Sequence, residues 1–430
     1  MLPLLLLLIF TLQAGNAATA DQTPTNQANV SSNLIIPESG VEPNLEAPEI
    51  DGGASEIRGN EAREDASSNP TSETSPTETD SNTGTAEESA DQFFERDGVG
   101  QAFLSVRTFF LLLIVIVAMG IASGIGFWLR QRQSEKIAAA LVDRFNHRLF
   151  IWWMMLGILV IGFLLSRIGT VILFGMVSFW ALREFITMTN TRRGDHRALF
   201  SVFFIFTPLQ YILVALGDRT GESWWAIDFY AIFAIMIPVY ASVFIPARIA
   251  INGDTKRFLE RTAKIQAGLL VCVYSLSYAP ALLDLNLETS NSVPWTGSRV
   301  NLLVFLVVCA QLAGVFERVW SRALGRTVVA QHVNGSRTWE GFLGSVITTG
   351  IVGATLAWAT PFHWAESIML AMVIATMAFA GGMTMSAIKR DRGVGDTGSL
   401  VQGHAGVLDQ IDNVCFAAPV FYHLTRAFFT

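Results

Sequence analysis

Charged residues are scarce in this chain: they make up 15% of its 430 residues, while hydrophobic residues make up 51%. Soluble domains carry about 25% charged residues, so the composition argues against a soluble globular protein. Cysteine is scarcer still, with three residues and no CxxC pair. This pattern argues against a disulfide framework or a zinc site, and it favours buried, inert thiols at Cys272, Cys309 and Cys415.

Several familiar catalytic motifs are missing as well. The sequence has no Walker A loop, no GxSxG elbow and no HExxH helix, so covalent hydrolysis has no obvious nucleophile. Basic residues cluster in loops without the aromatic–basic interleaving of an RNA-binding surface. We therefore expect no nucleic-acid partner.

The first hundred residues differ in composition from the rest. Residues 1–19 resemble a signal peptide, with an apolar run at 2–12 and small residues after it, although no Lys or Arg precedes the run. An uncleaved anchor is the alternative. Residues 20–100 include 18 acidic and three basic residues and few apolar ones. Such a segment cannot offset its ordering entropy by burial, so a disordered, acidic, extracytoplasmic tail is predicted.

From residue 101 onward, apolar stretches long enough to cross a bilayer alternate with short polar loops. We predict an all-α, polytopic integral membrane protein with about ten transmembrane helices. An additional helix and a basic loop occupy 101–148 and precede a membrane domain at 149–430. The predicted spans are 104–128, 149–166, 168–187, 198–216, 223–247, 264–283, 298–316, 341–359, 364–385 and 413–429.

The loops between these spans differ in charge in a regular way. If the N-terminal tail is extracytoplasmic, alternation of the spans places every loop rich in Lys and Arg on one side. The positive-inside rule identifies that side as cytoplasmic. Both polar stretches described next then face the cytoplasm.

The first polar stretch, SRTWEG, runs from Ser336 to Gly341 and opens a predicted span. Thr338 can cap the helix that begins there, and the free N–H groups of a helix N-terminus favour an anion. Arg337 can contact a phosphate. The alternative is an ordinary helix start with Trp339 as an interfacial anchor.

The second polar stretch runs from Ser386 to Asp412, between the last two spans. Lys389 and Arg390 can bind phosphate, although cations also suit a helix C-terminus at the inner surface. Asp409 and Asp412 share one face of a helix and can hold Mg²⁺ together with substrate phosphates. These residue types favour phosphoryl or nucleotidyl transfer by positioning and charge neutralisation.

Together the two stretches resemble the signature of phosphatidate cytidylyltransferase, also called CDP-diacylglycerol synthase, over roughly residues 150–430. The family pattern is Ser-x-x-Lys-Arg, then Lys-Asp, His-Gly-Gly and Asp-Arg-x-Asp, and its spacing matches without a gap. The matching residues are Ser386, Lys389, Arg390, Asp396, His404, Asp409 and Asp412. The first stretch is similar to the family's Ser-Pro-x-Lys-Thr-Trp-Glu-Gly. The variant of the pattern resembles a divergent bacterial paralogue.

The resemblance implies that CTP and phosphatidate give CDP-diacylglycerol and pyrophosphate for phospholipid biosynthesis, with Mg²⁺ as cofactor. It also implies a bacterial inner membrane, with membrane lipids around the site; a homodimer stays open. By the same resemblance, the catalytic residues are Lys389, Arg390, Asp396 and His404, the substrate-binding residues are Ser336, Arg337, Thr338 and Ser386, and the metal ligands are Asp409 and Asp412.

The chain also departs from the family pattern. Gly382 and Gly314 stand where the family has aspartates, one of which is a metal ligand. Glu317, Asp391 or water would have to substitute for them. The other differences are Gly395 for Lys, Ala405 for Gly and Gln410 for Arg. Two alternatives therefore stay open: an inactive paralogue that binds lipid or nucleotide or acts as an assembly partner, and a CTP-dependent lipid kinase.

Overall fold

Helices dominate the structure, a computed structural model that describes residues 106–131, 139–164, 166–189, 191–217, 229–289, 294–295, 297–393 and 406–430. The predicted signal segment and acidic tail lie outside these residues. The ten helices of the described part are α1 (Val106–Gln131), α2 (Ala139–Leu164), α3 (Ser166–Met188), α4 (His196–Leu216), α5 (Phe229–Ala250), α6 (Phe258–Asp284), α7 (Val300–Leu324), α8 (Trp339–Leu356), α9 (Trp364–Asp391) and α10 (Val407–Phe429). Short 3₁₀ turns are Arg193–Asp195 before α4, Leu282–Asp284 at the end of α6 and Ala357–Ala359 after α8.

Eight helices of the described part, α1 and α3 to α9, are long and apolar enough to cross a membrane. This confirms the predicted all-α, polytopic architecture. α2 contains a shorter apolar segment, Leu149–Phe163, and begins well before the predicted span at 149–166. α10 contains the predicted span at 413–429. The predicted span at 223–247 begins outside the described residues.

A small antiparallel hairpin separates α7 from α8. Its strands are β1 (Val328–Ala330) and β2 (Asn334–Thr338). This hairpin was not predicted from the sequence. It matters for the site because β2 contains the first half of the first polar stretch, Ser336 to Thr338, and leads directly into α8.

The middle helices are interrupted by π-helical turns at Val202–Phe206, Met236–Ala241 and Leu270–Ser275. The turn in α5 contains Pro238, which has no N–H to donate, so carbonyl oxygens one turn earlier need other donors. Gln210 Nε2 donates to Phe233 O at 3.3 Å. The Tyr274 hydroxyl donates to Ala234 O at 3.0 Å. Side chains from α4 and α6 therefore stabilise the interruption in α5.

The last four helices pack closely in sequence order, α7 to α10. Small residues at the crossings let the backbones approach. A Cβ at Gly353 in α8 would lie 2.7 Å from the carbonyl oxygen of Ser367 in α9. A Cβ at Gly381 in α9 would lie 2.9 Å from the carbonyl oxygen of Asp412 in α10. Close packing thus fixes α9 against α10, and these helices contain the described parts of the second polar stretch.

Polar contacts gather the helix ends into two groups. At one end, which we call the motif end, the C-termini of α3 and α9 meet the N-termini of α4, α6 and α10 and the β1–β2 hairpin. The contacts there join Arg261 to Asp195, Arg392 to Glu260, Glu184 to Leu408 and Arg390 to Val333. At the opposite end, Arg167 pairs with Asp284 at 2.9 Å. The described parts of both polar stretches lie at the motif end, as the predicted topology requires.

Candidate functional site

Local hydrogen bonds hold the first polar stretch in the hairpin. Asn334 Oδ1 accepts from the backbone N–H and the hydroxyl of Ser336, at 3.1 and 2.7 Å. The Glu340 carboxylate, in the first turn of α8, accepts from the N–H groups of Arg326 and Thr327 and from the Thr327 hydroxyl. These hydrogen bonds fix β2 and the two residues before β1 on either side of Arg337 in the chain.

Thr338 caps α8, as its position predicts: its hydroxyl accepts from Gly341 N at 3.1 Å. The same hydroxyl donates to Ser321 Oγ at 3.2 Å. Ser321 Oγ in turn donates to Glu317 Oε1 at 3.2 Å. Thr338, Ser321 and Glu317 are all buried. This chain of hydrogen bonds links the start of α8 to a carboxylate inside the bundle.

Arg337 lies over Gly382, at one of the two positions where the family pattern has aspartate. A Cβ at Gly382 would lie 2.7 Å from Arg337 Nη1 and 2.9 Å from its Cζ. Nη1 donates to Phe379 O at 3.5 Å, and Nε lies 4.0 Å from Glu317 Oε2. The guanidinium therefore fills the space that a side chain at position 382 would need.

Gly314, the other such position, is covered by an amide. A Cβ there would lie 2.6 Å from Asn413 Nδ2 in α10. Nearby, Gln311 Nε2 donates to Gln410 O at 2.6 Å and fastens α7 to α10. At both positions where glycine replaces a family aspartate, a side chain that carries N–H donors thus fills the space.

The second polar stretch brings cations of α9 against carboxylates of α10. Lys389 Nζ forms an ion pair with Asp409 Oδ1, and the two side chains are 17% and 18% exposed. Asp412, one turn later in α10, interacts electrostatically with Asp409, Lys389 and Arg337. Charged groups from β2, α9 and α10 therefore meet at the motif end.

Two further predicted residues connect α9 to the hairpin. Arg390 Nε donates to Val333 O at 3.3 Å, in the turn between the strands. Ser386 Oγ accepts from Asn334 Nδ2 at 3.3 Å and donates to Gly382 O at 2.7 Å. The two polar stretches, which lie about fifty residues apart in the chain, are thereby held together.

Glu184 positions α10, although the sequence analysis did not single it out. Its carboxylate accepts from Leu408 N at 3.0 Å, where the free N–H groups of α10 begin. A Cβ at Gly406 would overlap this carboxylate, so glycine lets it reach the helix terminus. Because Glu184 lies 224 positions before Leu408, no local pattern could have indicated the contact.

The loop after α5 is also fixed at the motif end. Asp254 lies 3.0 Å from Arg261 Nη1 and 3.5 Å from Arg192 Nη1. A hydrogen bond from the Lys256 backbone N–H and the charges of both arginines lower the pKa of Asp254. The loop is therefore held by a carboxylate that stays ionised near neutral pH.

Asp396 and His404, with Gly395 and Ala405, lie outside the described residues. Their roles stay predictions. The other eight predicted site residues are described, and all of them are at the motif end: Ser336, Arg337, Thr338, Ser386, Lys389, Arg390, Asp409 and Asp412.

The fit of a divalent cation depends on the carboxylates of α10. Within the described ranges, no three or more His, Cys, Asp or Glu side chains are grouped to hold a metal ion. Asp391 is 67% exposed and pairs with Arg392, and neither it nor Glu317 completes such a group. Mg²⁺ can nevertheless bind through one or two carboxylates, several waters and substrate phosphates. Asp409 and Asp412, which share one face of α10, are the two carboxylates of the motif end that such an ion would use.

Sequence comparisons relate the chain to known proteins. The model of the Cytidylyltransferase family matches residues 146–428. An Escherichia coli (strain K12) protein named "Uncharacterized protein YnbB" is 30% identical over 75% of this chain and 97% of its own length. The phosphatidate cytidylyltransferase of Haemophilus influenzae is 29% identical over 34% of this chain and 52% of its own length, and that of Synechocystis sp. is 34% identical over 30% and 43%. The chain thus matches about half the length of these two enzymes.

Proposed function

Because the chain belongs to the cytidylyltransferase family, we propose that it transfers a cytidylyl group from CTP to phosphatidate, giving CDP-diacylglycerol and pyrophosphate. The observation that carries the proposal is the meeting of both polar stretches at one end of the bundle. Cations from β2 and α9 lie there beside two carboxylates of α10. This combination suits substrates that carry several phosphates.

For this reaction the protein has to neutralise the charge of the phosphates and position the two substrates. An oxygen of the phosphatidate phosphate attacks the α-phosphorus of CTP; a P–O bond forms to that oxygen and the bond to pyrophosphate breaks. A phosphate monoester is already ionised near neutral pH, so the attacking oxygen needs no general base. Negative charge builds up on the departing pyrophosphate, and preorganised cations stabilise it.

Lys389 and Arg390 are the proposed phosphate ligands. In the structure, Lys389 pairs with Asp409 and Arg390 donates to the backbone carbonyl of Val333. A polyphosphate chain offers both side chains stronger, charge-assisted acceptors. Ser336 and Ser386, both bonded to Asn334, would line the same site, and His404 would supply a further hydrogen-bond donor.

Mg²⁺ is part of the proposal, with Asp409 and Asp412 as its ligands. When bound, the ion would neutralise charge on the CTP phosphates. Engagement of Asp409 in this way would leave the Lys389 ammonium available for phosphate. Asp412 contributes a second carboxylate on the same helical face.

The motif end is proposed to face the cytoplasm of a bacterial inner membrane, where CTP is present. Phosphatidate then enters from the cytoplasmic leaflet while its acyl chains stay among the spans. The positive-inside distribution of the loops supports this orientation.

The test is an assay of the purified full chain in detergent with phosphatidate, labelled CTP and Mg²⁺. We expect CDP-diacylglycerol and pyrophosphate in equal amounts. A family member with both aspartates serves as the positive control. If that control is active and this chain forms neither product, the proposed function is wrong and the inactive-paralogue alternative takes its place. CDP and a newly phosphorylated lipid would instead identify a lipid kinase.

A further inference from the structure

A buried carboxylate and a partly buried guanidinium face each other at the motif end without a close hydrogen bond. Glu317 is 3% exposed, and its Oε2 accepts no hydrogen bond from any described residue. The nearest cation is Arg337, whose Nε lies 4.0 Å away and whose side chain is 15% exposed. At this distance the carboxylate orients the guanidinium by charge, while the N–H donors stay largely unused.

The donors of Arg337 outnumber the acceptors around it. A guanidinium has five N–H donors. Among the described residues, the hydrogen bond that Arg337 makes is from Nη1 to Phe379 O, at 3.5 Å. A partly buried cation with unused donors is costly unless an acceptor completes it. The planar fork of arginine matches the oxygens of a phosphate in a bidentate fashion.

The Arg337 guanidinium can lie where it does because residue 382 is a glycine. Since a Cβ there would lie 2.7 Å from Nη1, even alanine would displace the guanidinium. Asn413 covers Gly314 in the same way, with its Nδ2 2.6 Å from the position of a Cβ. Hydrogen-bond donors therefore occupy the space beside Gly382 and Gly314, the two positions where the family pattern has an aspartate.

We propose that Arg337, seated on Gly382 and oriented by Glu317, binds a phosphate group of the ligand directly, without a divalent ion at that subsite. Glu317 is a positioning residue, because it acts through Arg337. The subsite is distinct from the Asp409–Asp412 pair proposed for Mg²⁺. The identity of the ligand rests on the proposed function: the phosphate belongs to CTP or to the phosphatidate headgroup.

Equilibrium binding to the full chain in detergent tests this subsite, with EDTA present throughout. One arm uses CTP and the other uses short-chain phosphatidate, so the arm that binds identifies the source of the phosphate. We expect saturable binding in at least one arm. Arg337→Gln should weaken it by at least about tenfold, whereas Arg337→Lys, which keeps the charge, should weaken it less. Arg322→Gln, at an exposed arginine of α7, is the matched control and should bind as the unmodified chain does.

Variants of Gly382 and Glu317 test the same subsite in a second way. Gly382→Ala and Gly382→Asp should both weaken the EDTA-resistant binding, the first by displacing the guanidinium and the second also by neutralising it. Glu317→Gln keeps the shape of the side chain and should weaken binding by releasing the guanidinium. Thermal unfolding of each variant shows whether it is folded, and Arg337→Lys remains informative if Glu317→Gln is not.

The outcomes separate this proposal from the proposed function. EDTA-resistant binding that depends on Arg337, without any cytidylyl transfer, would uphold the subsite and overturn the function. Cytidylyl transfer without ligand binding in EDTA, or with full binding by Arg337→Gln, would overturn the subsite. A Gly382→Asp variant that gains Mg²⁺-dependent affinity and loses nothing in EDTA would also overturn it.

Discussion

Single residues at the motif end keep opposite charges close together and partly out of water. The Lys389–Asp409 pair is less than one-fifth exposed, so its Coulomb energy is screened less than that of a surface pair. Such a pair stays oriented until a ligand with more charge competes for one of its members. Replacing either residue therefore changes the charge that the ligand meets. The backbones of α9 and α10 should keep their positions, because the two helices pack closely.

Asp409→Asn keeps the shape of the side chain and removes its charge. We expect cytidylyl transfer to fall by a factor on the order of a hundred or more, with the same amount of protein inserted in the membrane. Initial rates normalised to inserted protein measure the effect. Asp391→Asn, at the 67% exposed carboxylate of α9, is the control and should keep its activity. Full activity of Asp409→Asn would show that this carboxylate is not needed.

The residues of the site were predictable where their spacing along the chain is characteristic. Ser386, Lys389, Arg390 and Asp409 follow a fixed pattern, and the structure gathers them at one end. Glu184 was not predictable, because its partner Leu408 lies 224 positions away. Gly382 and Gly314 could not be interpreted fully from the sequence. Each shows there only as a missing carboxylate, whereas in the structure Arg337 and Asn413 fill the space beside them.

Among the elements, α10 depends on α3 for its first turn. The Glu184 carboxylate satisfies Leu408 N, and loss of such a cap costs about 1 kcal/mol. Glu184→Ala should therefore lower the melting temperature measured in detergent, and Glu184→Gln, which keeps an acceptor, should lower it less. Glu288→Ala, at an exposed glutamate of the opposite end, should leave it unchanged. Equal melting temperatures for all three variants would show that Glu184 does not stabilise α10.

The α8–α9 crossing gives a second prediction about elements. Gly353→Ala would put a Cβ 2.7 Å from Ser367 O, and overpacking of this kind costs about 1–3 kcal/mol. We expect a clear loss of thermal stability in detergent. Gly120→Ala in α1, where a Cβ would meet nothing within 4 Å, is the matched control. A Gly353→Ala variant as stable as Gly120→Ala would mean that the crossing can relax.

Hydropathy predicted the helices because apolar length is a strong signal, but it could not predict their interruptions. The π-turn in α5 depends on donors from Gln210 and Tyr274, which lie in other helices. The hairpin strands have three and five residues, too few for a periodic pattern to stand out. The starts of α2 and α10 lie earlier in the chain than the predicted spans, because these helices begin in polar residues that hydropathy alone excludes.

For the whole molecule, the two ends of the bundle should face opposite sides of the membrane. Cys272, Cys309 and Cys415 are fully buried, so single new cysteines can report sidedness in the native background. A membrane-impermeant maleimide should label Asn286→Cys in intact cells and Lys256→Cys only after permeabilisation. Both positions are exposed. The reverse pattern would contradict the predicted orientation of the motif end.

The length of α9 sets the depth at which its cations act. Trp364, at its first residue, is 60% exposed and suits the interface at one side. Lys389 follows near the end of the 28-residue helix, which at 1.5 Å per residue spans about 42 Å, against a hydrocarbon core of about 30 Å. In the proposed orientation, this length places the Lys389 ammonium and the Arg390 guanidinium at the level of the glycerol and phosphate layer. If phosphatidate is the substrate, as proposed, its headgroup meets these cations at its resting depth, without being drawn out of the leaflet.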